Sequence, residues 1–169
     1  IFHGFVAQIA PLIWEFALKE YQKDRLIFFL NPGRDPEGGG YHLLQSKIGI
    51  GSGGLFGTGL LKGKLTNLQF IPEQHTDFIF SAAGEEMGFV GSIFIVSLFF
   101  IFIIFLLRIA INARTDFESL IVIGITSIFL FQIIINIYMT IGLGPVTGIP
   151  LPFMSYGRTS LFVNFIFIG

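Results

Sequence analysis

Two long stretches without a charged residue constrain this chain more than any other feature. Residues 89–107 contain no charge, and residues 120–141 are interrupted only by Gln132, Asn136 and a few small polar side chains. A helix of about 20 apolar residues crosses the roughly 30 Å hydrocarbon core of a bilayer. The whole chain is only 12% charged, whereas a soluble domain has roughly 25%. The sequence therefore predicts an all-α, polytopic integral membrane helix bundle.

The distribution of charges predicts how the chain crosses the membrane. Four spans are predicted, over residues 1–18, 78–107, 120–141 and, cut short, 159–169. The segment between the second and third spans carries Arg108 and Arg114, and the positive-inside rule places it in the cytoplasm. Residues 19–77 then form one long external loop. We expect the chain to be the C-terminal part of a single, larger membrane domain.

The external loop is rich in glycine. Eleven of the chain's 21 glycines lie between Gly33 and Gly63. Loops of this length without helical or strand periodicity are usually functional. Dense glycine lets backbone N–H groups approach a ligand closely, and it equally lets a re-entrant loop fold back over a helix bundle. The sequence leaves both alternatives open.

Charge and composition exclude several classes of function. The 10 Lys and Arg residues are balanced by 11 Asp and Glu, so no basic field is present that could hold nucleic acid. The absence of cysteine excludes disulfides, thiol nucleophiles and zinc–thiolate sites. Residues 49–54 match the dinucleotide-binding pattern G-x-G-x-x-G, but no βαβ unit surrounds them. We therefore predict no nucleic-acid or nucleotide site.

The densest polar cluster precedes the second predicted span. Glu73, His75, Thr76 and Asp77 stand directly before Phe78. Thr or Asp at such a position can cap a helix, because the side-chain oxygen accepts hydrogen bonds from free backbone N–H groups. A carboxylate at the membrane surface can instead act as a general base on a sugar hydroxyl. The residues alone favour capping and leave both interpretations open.

Two further polar features lie in and after the third span. Gln132 and Asn136 are four residues apart and share one helix face, which is typical of hydrogen bonding between membrane helices. Residues 145–152 contain three prolines and cannot form a regular helix. This run is either a plain connection or a rigid rim that faces the long loop.

An ordered set of short motifs runs along almost the whole chain. Its elements are Asn31-Pro32, Asp35-Pro36, Gly40-Tyr41, residues 51–54, 72–80 and 84–88, Asn136, residues 145–152 and Ser155-Tyr156-Gly157. As a set they resemble the motifs of the SEDS family (shape, elongation, division, sporulation). The threonine at position 147 resembles the rod-shape branch of that family rather than the division branch. Arg158 stands where the family usually has glycine, and Tyr138 where it has a small residue.

This resemblance implies a multi-pass enzyme of the bacterial cytoplasmic (inner) membrane, a peptidoglycan glycosyltransferase. It would polymerise lipid II into glycan strands at the outer face, with inversion, during cell elongation. Asp77 matches the family's essential aspartate and would be the general base on the acceptor 4-hydroxyl. The candidates for substrate binding are Glu73, His75, Thr76, Arg25, Gln45, Ser46 and Lys62.

Partners and cofactors follow from the resemblance alone. The implied partners are the lipid II substrate, the lipid bilayer and a class B penicillin-binding protein, which is a transpeptidase. No cofactor is certain, and a divalent cation, Mg²⁺ or Mn²⁺, is the candidate. Two other functions remain open: a flippase or transporter of lipid-linked precursors, and a non-catalytic scaffold of the cell-wall synthesis complex. The centres of the two charge-free spans carry no ionisable residue, which argues against a transporter.

Overall fold

The computed structural model describes residues 19–30, 39–59, 62–63 and 76–169, and these residues form helices, turns and irregular segments without any strand. The helices are α1 (Glu20–Leu30), α2 (Gly39–Ser52), α3 (Ile79–Ile111), α4 (Asp116–Thr140) and α5 (Arg158–Ile168). By length and composition α3 and α4 can cross a membrane, whereas α5 is apolar but shorter. The all-α prediction is confirmed for the described residues. The span predicted over residues 1–18 lies outside them.

Two helices, α1 and α2, lie inside the segment that the sequence predicts to be an unbroken loop. The prediction of a loop is wrong there. The sequence does not indicate α2 because this helix contains four glycines, each of which disfavours a helix by about 1 kcal/mol. Packing against the bundle outweighs that preference. Leu43 and Ser46 of α2 are 2% and 0% exposed, and both lie on the side of α2 that packs on the bundle.

Helix α3 is broken at Gly88. This residue has φ 69° and ψ −165°, a conformation that is essentially restricted to glycine. Four backbone hydrogen bonds of 2.9–3.1 Å join residues 54–59 to residues 85–90 around the break, in place of the helical ladder. The glycine-rich turn of residues 53–59 therefore supplies the partners that the interrupted helix lacks.

The break folds the first part of α3 back along the second. Phe80 lines the same groove as Val96 and Ser97, although 16 residues of straight helix would separate them by about 24 Å. The prediction that one continuous span begins at residue 78 is therefore wrong. Residues 89–111 continue as a helix of about 34 Å, which is long enough to cross the hydrocarbon core.

The glycines of the external segment pack backbone against backbone. A Cβ at Gly53 would collide with the carbonyl oxygen of Gly84, and a Cβ at Gly57 would collide with that of Glu86. The sequence leaves two roles open for the dense glycine, close approach to a ligand or a loop that folds back over the bundle. The turn of residues 53–59 has the second role.

Helices α3 and α4 are joined by a short turn and pack against each other. The hydroxyl of Thr115 caps α4 by accepting a hydrogen bond from the Glu118 N–H (3.2 Å), and the Glu118 carboxylate accepts one from the Arg114 N–H (3.1 Å). This capping box extends α4 four residues before the predicted span. The buried core between the helices consists of Phe80, Ile95, Ile103, Leu106, Phe129, Ile133 and Leu151.

The segment after α4, residues 143–157, re-enters the bundle; we call it the proline segment. Leu151 is fully buried in the core, and the ring of Phe153 lies 5.6 Å from that of Phe129. Phe129 is 11 residues before the end of α4, or about 16 Å along its axis. Irregular backbone at such a depth must find hydrogen-bond partners within the protein.

Candidate active site

Asp77 lies in the turn of residues 76–78 that leads into α3. The N-cap of the helix is Phe78, so neither Thr76 nor Asp77 occupies the capping position. Phe78 is 2% exposed, and its ring stacks on that of His42 in α2, with centroids 6.2 Å apart and planes at 12°. Stacking anchors the turn, while the Asp77 side chain stays half-buried.

The side chain of Asn136 connects this turn to the proline segment. Its Nδ2 donates one hydrogen bond to the carbonyl oxygen of Asp77 (2.9 Å) and another to that of Ile149 (2.7 Å). The sequence predicts a hydrogen-bonding stripe between helices for Gln132 and Asn136. The structure instead directs Asn136 to the backbone of two irregular segments, and Gln132 has no hydrogen bond to any described residue.

Ser155 makes a second connection between the same two segments. Its Oγ donates to the carbonyl oxygen of Thr76 (2.6 Å) and accepts from the N–H of Leu151 (2.7 Å). Consecutive carbonyl groups, those of Thr76 and Asp77, are thus held by side chains from the proline segment and from α4. Of the two alternatives for the proline run, the structure supports a rim that contacts other functional segments.

Gly148 of the proline segment lies against the Asp77 carboxylate. A Cβ at Gly148 would stand 3.4 Å from Oδ2 of Asp77, and the φ of Gly148 is +73°. Gly148 also lines a groove of about 530 Å³ together with Ser127, Gln132 and Pro150. Ligand-binding clefts commonly have roughly this volume. The carboxylate is therefore within one residue of a groove that could hold part of a substrate.

Arg25 of α1 reaches the proline segment from the other direction. Its Nη1 donates to the carbonyl oxygen of Thr147, 2.8 Å away, and its side chain is otherwise exposed. The structure thus brings Arg25 and Asp77, which are 52 positions apart in the sequence, to neighbouring residues of the same segment. An arginine can bind pyrophosphate oxygens through paired N–H donors.

The other predicted substrate-binding residues have different positions. Ser46 is fully buried, and its hydroxyl donates to the carbonyl oxygen of Thr140 (2.7 Å), so its side chain fastens α2 to the end of α4 and does not face a ligand. Gln45 is half-buried on α2. Lys62 is exposed beside the glycine-rich turn, where its N–H donates to the Gly59 carbonyl oxygen (3.0 Å). Glu73 and His75 lie outside the described residues.

The site contains residues that sequence reasoning did not single out as contacts of Asp77. His42, Gly148 and Ser155 all contact the turn of residues 76–78 or its carboxylate. Gly148 and Ser155 belong to two of the family motifs named above, residues 145–152 and 155–157. A single sequence, however, does not show which residues a motif residue contacts. Among the described residues no three His, Asp or Glu side chains cluster.

Fold and site together define an α-helical membrane protein with an acidic site built from re-entrant segments at one end of the bundle. The family model described as cell cycle protein, FtsW/RodA/SpoVE, matches residues 1–169. The chain belongs to this family, and the predicted SEDS membership is confirmed.

Individual relatives agree with this assignment. Peptidoglycan glycosyltransferase MrdB of Escherichia coli (strain K12) is 44% identical over 158 residues, which are 94% of this chain and 43% of that protein. Peptidoglycan glycosyltransferase RodA of Treponema pallidum (strain Nichols) is 45% identical over 160 residues, 95% of this chain and 37% of that protein. The chain spans less than half the length of these curated relatives.

A solved structure has the same arrangement of helices. It is described as showing structural coordination of polymerization and crosslinking by a peptidoglycan synthase complex. It matches with a TM-score of 0.74 and 28% identity, over 99% of this chain and 45% of that chain. The likeness supports the helical fold of the described residues.

Proposed function

We propose that the protein to which these residues belong is a peptidoglycan glycosyltransferase that polymerises lipid II at the outer face of the bacterial cytoplasmic membrane, during cell elongation. The relatives named above carry that activity in their names, and two of them belong to the MrdB and RodA group. The observation that carries the proposal for this chain is the Asp77 carboxylate, which lies against Gly148, one of the residues that line a groove.

In the proposed reaction Asp77 is the general base. Its carboxylate removes the proton from the 4-hydroxyl of the acceptor GlcNAc, and the resulting nucleophilic oxygen attacks C1 of the donor MurNAc. The bond from C1 to the pyrophosphate oxygen breaks as the new glycosidic bond forms on the opposite face, so the configuration at C1 inverts. Undecaprenyl pyrophosphate leaves with the electron pair. A positioned base of this kind contributes roughly 10²–10⁴-fold to the rate.

The surroundings of Asp77 suit these steps. Because residue 148 has no side chain, a sugar hydroxyl can approach the carboxylate from that side. Arg25, hydrogen-bonded to Thr147, places a positive charge next to Gly148, where the departing pyrophosphate would gain negative charge. Lipid II has a polar head and a lipid tail, and the groove that Gly148 shares with the middle of α4 offers the tail a place beside the helix.

Further elements of the proposal rest on family membership. A class B penicillin-binding protein is the proposed partner, in keeping with the neighbour described as coordinating polymerization and crosslinking. A divalent cation carried by the pyrophosphate is compatible with the site, and we derive no step through it. The chain is proposed to be the C-terminal part of a single membrane domain.

The test is the substitution Asp77→Asn in the full-length protein, purified in detergent and assayed for polymerisation of lipid II. We expect a loss of at least about 100-fold, because the amide cannot accept the proton. Asp116→Asn is the matched control, since Asp116 is exposed in the first turn of α4, at the opposite end of that helix. Normal polymerisation by Asp77→Asn would show that Asp77 is not the base.

The same preparations separate the alternative functions. A flippase would move lipid II across liposomes whether or not Asp77 is intact, and a scaffold would support wall synthesis in cells with the Asp77→Asn variant. We expect neither result, because both alternatives leave the carboxylate beside Gly148 without a role.

A further inference from the structure

We infer that Asn136 is a positioning residue that sets the geometry of Asp77, an inference that rests on the proposed function. Asn136 has no exposed surface, and its amide group is enclosed between α4, the turn of residues 76–78 and the proline segment. Its two hydrogen bonds go to backbone carbonyl oxygens, and it does not line the groove beside Gly148. Its effect on the reaction is therefore transmitted through the backbone of Asp77.

The two donors of one amide group fix two segments relative to each other. The carbonyl oxygens of Asp77 and Ile149 are 59 and 13 residues from Asn136 in the sequence, and both accept from the same Nδ2. Ile149 follows Gly148, against which the carboxylate lies. Asn136 therefore determines the distance between the Asp77 backbone and the wall of the groove. A carboxamide is well suited to this because its planar NH₂ group directs two N–H bonds at a fixed angle.

Ser155 restricts the preceding peptide group, the one between Thr76 and Asp77. It donates to the carbonyl oxygen of Thr76 at 2.6 Å, while Asn136 binds that of Asp77. When two successive carbonyl groups are held, the backbone dihedral angles of Asp77 are restricted, and so is the direction of its Cα–Cβ bond. A general base must lie within hydrogen-bond reach of its proton, so a small rotation here would reduce the rate.

The amide at this position satisfies two backbone carbonyl groups but leaves its own acceptor unpaired within the described part of the chain. The Oδ1 atom of Asn136 is buried and has no hydrogen-bond partner among the described residues. A buried polar atom without a partner is unfavourable, and the amide accepts that cost while its two N–H groups bind the carbonyl oxygens of Asp77 and Ile149. Local rules of this kind are most often broken at functional sites. An unpaired Oδ1 is therefore what we expect at a position where asparagine is retained for the two N–H groups of its amide.

The experiment compares Asn136→Leu with wild type in the full-length protein, with kcat and KM for lipid II normalised to the folded fraction. We expect kcat to fall 10- to 100-fold while KM changes by less than about threefold, because the groove keeps its lining. Thr126→Val is the control, since Thr126 is also buried in α4 and its hydroxyl bonds only to Val122 of the same helix. A kcat within twofold of wild type would overturn the inference.

A second measurement distinguishes positioning from a merely structural role. In the Asp77→Asn background Asn136→Leu is expected to leave the residual rate unchanged, because the carboxylate through which it acts is gone. An equal loss in both backgrounds would overturn the inference. If Asn136→Leu does not fold, Ser155→Ala takes its place in both assays, with the same expected pattern and the same refuting results. Normal polymerisation by Asp77→Asn alone would refute the proposed function instead.

Discussion

The break in α3 gives the most direct test of the fold, through the substitution Gly88→Ala. The backbone of Gly88, at φ 69° and ψ −165°, lies in a region that costs other residues about 1–3 kcal/mol. A Cβ there would also lie 2.8 Å from the carbonyl carbon and oxygen of Leu55 and closer still to the backbone N of Gly57. These are backbone atoms that cannot rotate aside.

Relief of that overlap requires the glycine-rich turn to move away from α3. The four backbone hydrogen bonds between residues 54–59 and 85–90 would then be lost or lengthened, at about 1 kcal/mol each. Adding the conformational strain of about 1–3 kcal/mol, we expect Gly88→Ala to lower the free energy of unfolding by about 5–7 kcal/mol if all four bonds are lost. Such a loss is large compared with the usual effect of a point mutation.

The assay is unfolding of the purified full-length protein in mixed micelles by increasing SDS, followed by circular dichroism. Gly124→Ala is the matched control, because Gly124 lies in α4 with nothing within 4 Å of its would-be Cβ. Alanine should stabilise that helix by up to about 1 kcal/mol. If Gly88→Ala unfolded at the wild-type SDS concentration, the folded-back arrangement of α3 would be wrong.

Two further substitutions separate catalytic contacts from structural ones. Gly148→Ala introduces a Cβ 3.4 Å from Oδ2 of Asp77 at a φ of +73°. We expect the polymerisation rate to fall about tenfold and the stability to fall by about 1–2 kcal/mol. A wild-type rate in the lipid II assay would show that the carboxylate tolerates a side chain there. Ser46→Ala removes the hydroxyl that satisfies the last carbonyl of α4, that of Thr140. We expect a loss of about 1–3 kcal/mol in SDS unfolding with an unchanged kcat per folded molecule, and a selective loss of kcat would restore Ser46 as a substrate contact.

The regular part of the fold could be predicted from composition. Charge-free stretches identify α3 and α4, because only helices satisfy the backbone within lipid. The predicted bounds miss what lies at the ends. Residues 116–119, three of which are polar, belong to α4 because Thr115 and Glu118 cap it, and residues 79–88 leave the span because of the break at Gly88. Apolar periodicity does not record either effect.

The candidate site could be predicted only as a position along the chain. The motif places Asp77 just before α3, and the structure agrees with that. Its neighbours could not be derived, because they come from parts of the sequence 35–78 residues away: His42, Asn136, Gly148 and Ser155. Ser46 illustrates the opposite case, in which a polar residue predicted to bind substrate has its hydroxyl bonded to a carbonyl group at a helix end.

The irregular segments explain why structure and chemistry are hard to separate in this protein. Around Asp77 the turn of residues 76–78 and the proline segment have no helical ladder, and side chains such as Asn136 and Ser155 supply the missing donors. Inside a membrane bundle no water replaces them. The bonds that make irregular backbone tolerable therefore also hold the carboxylate, and a substitution that breaks one must alter both stability and rate. Rates measured per folded molecule are consequently the quantity that decides which residues serve catalysis.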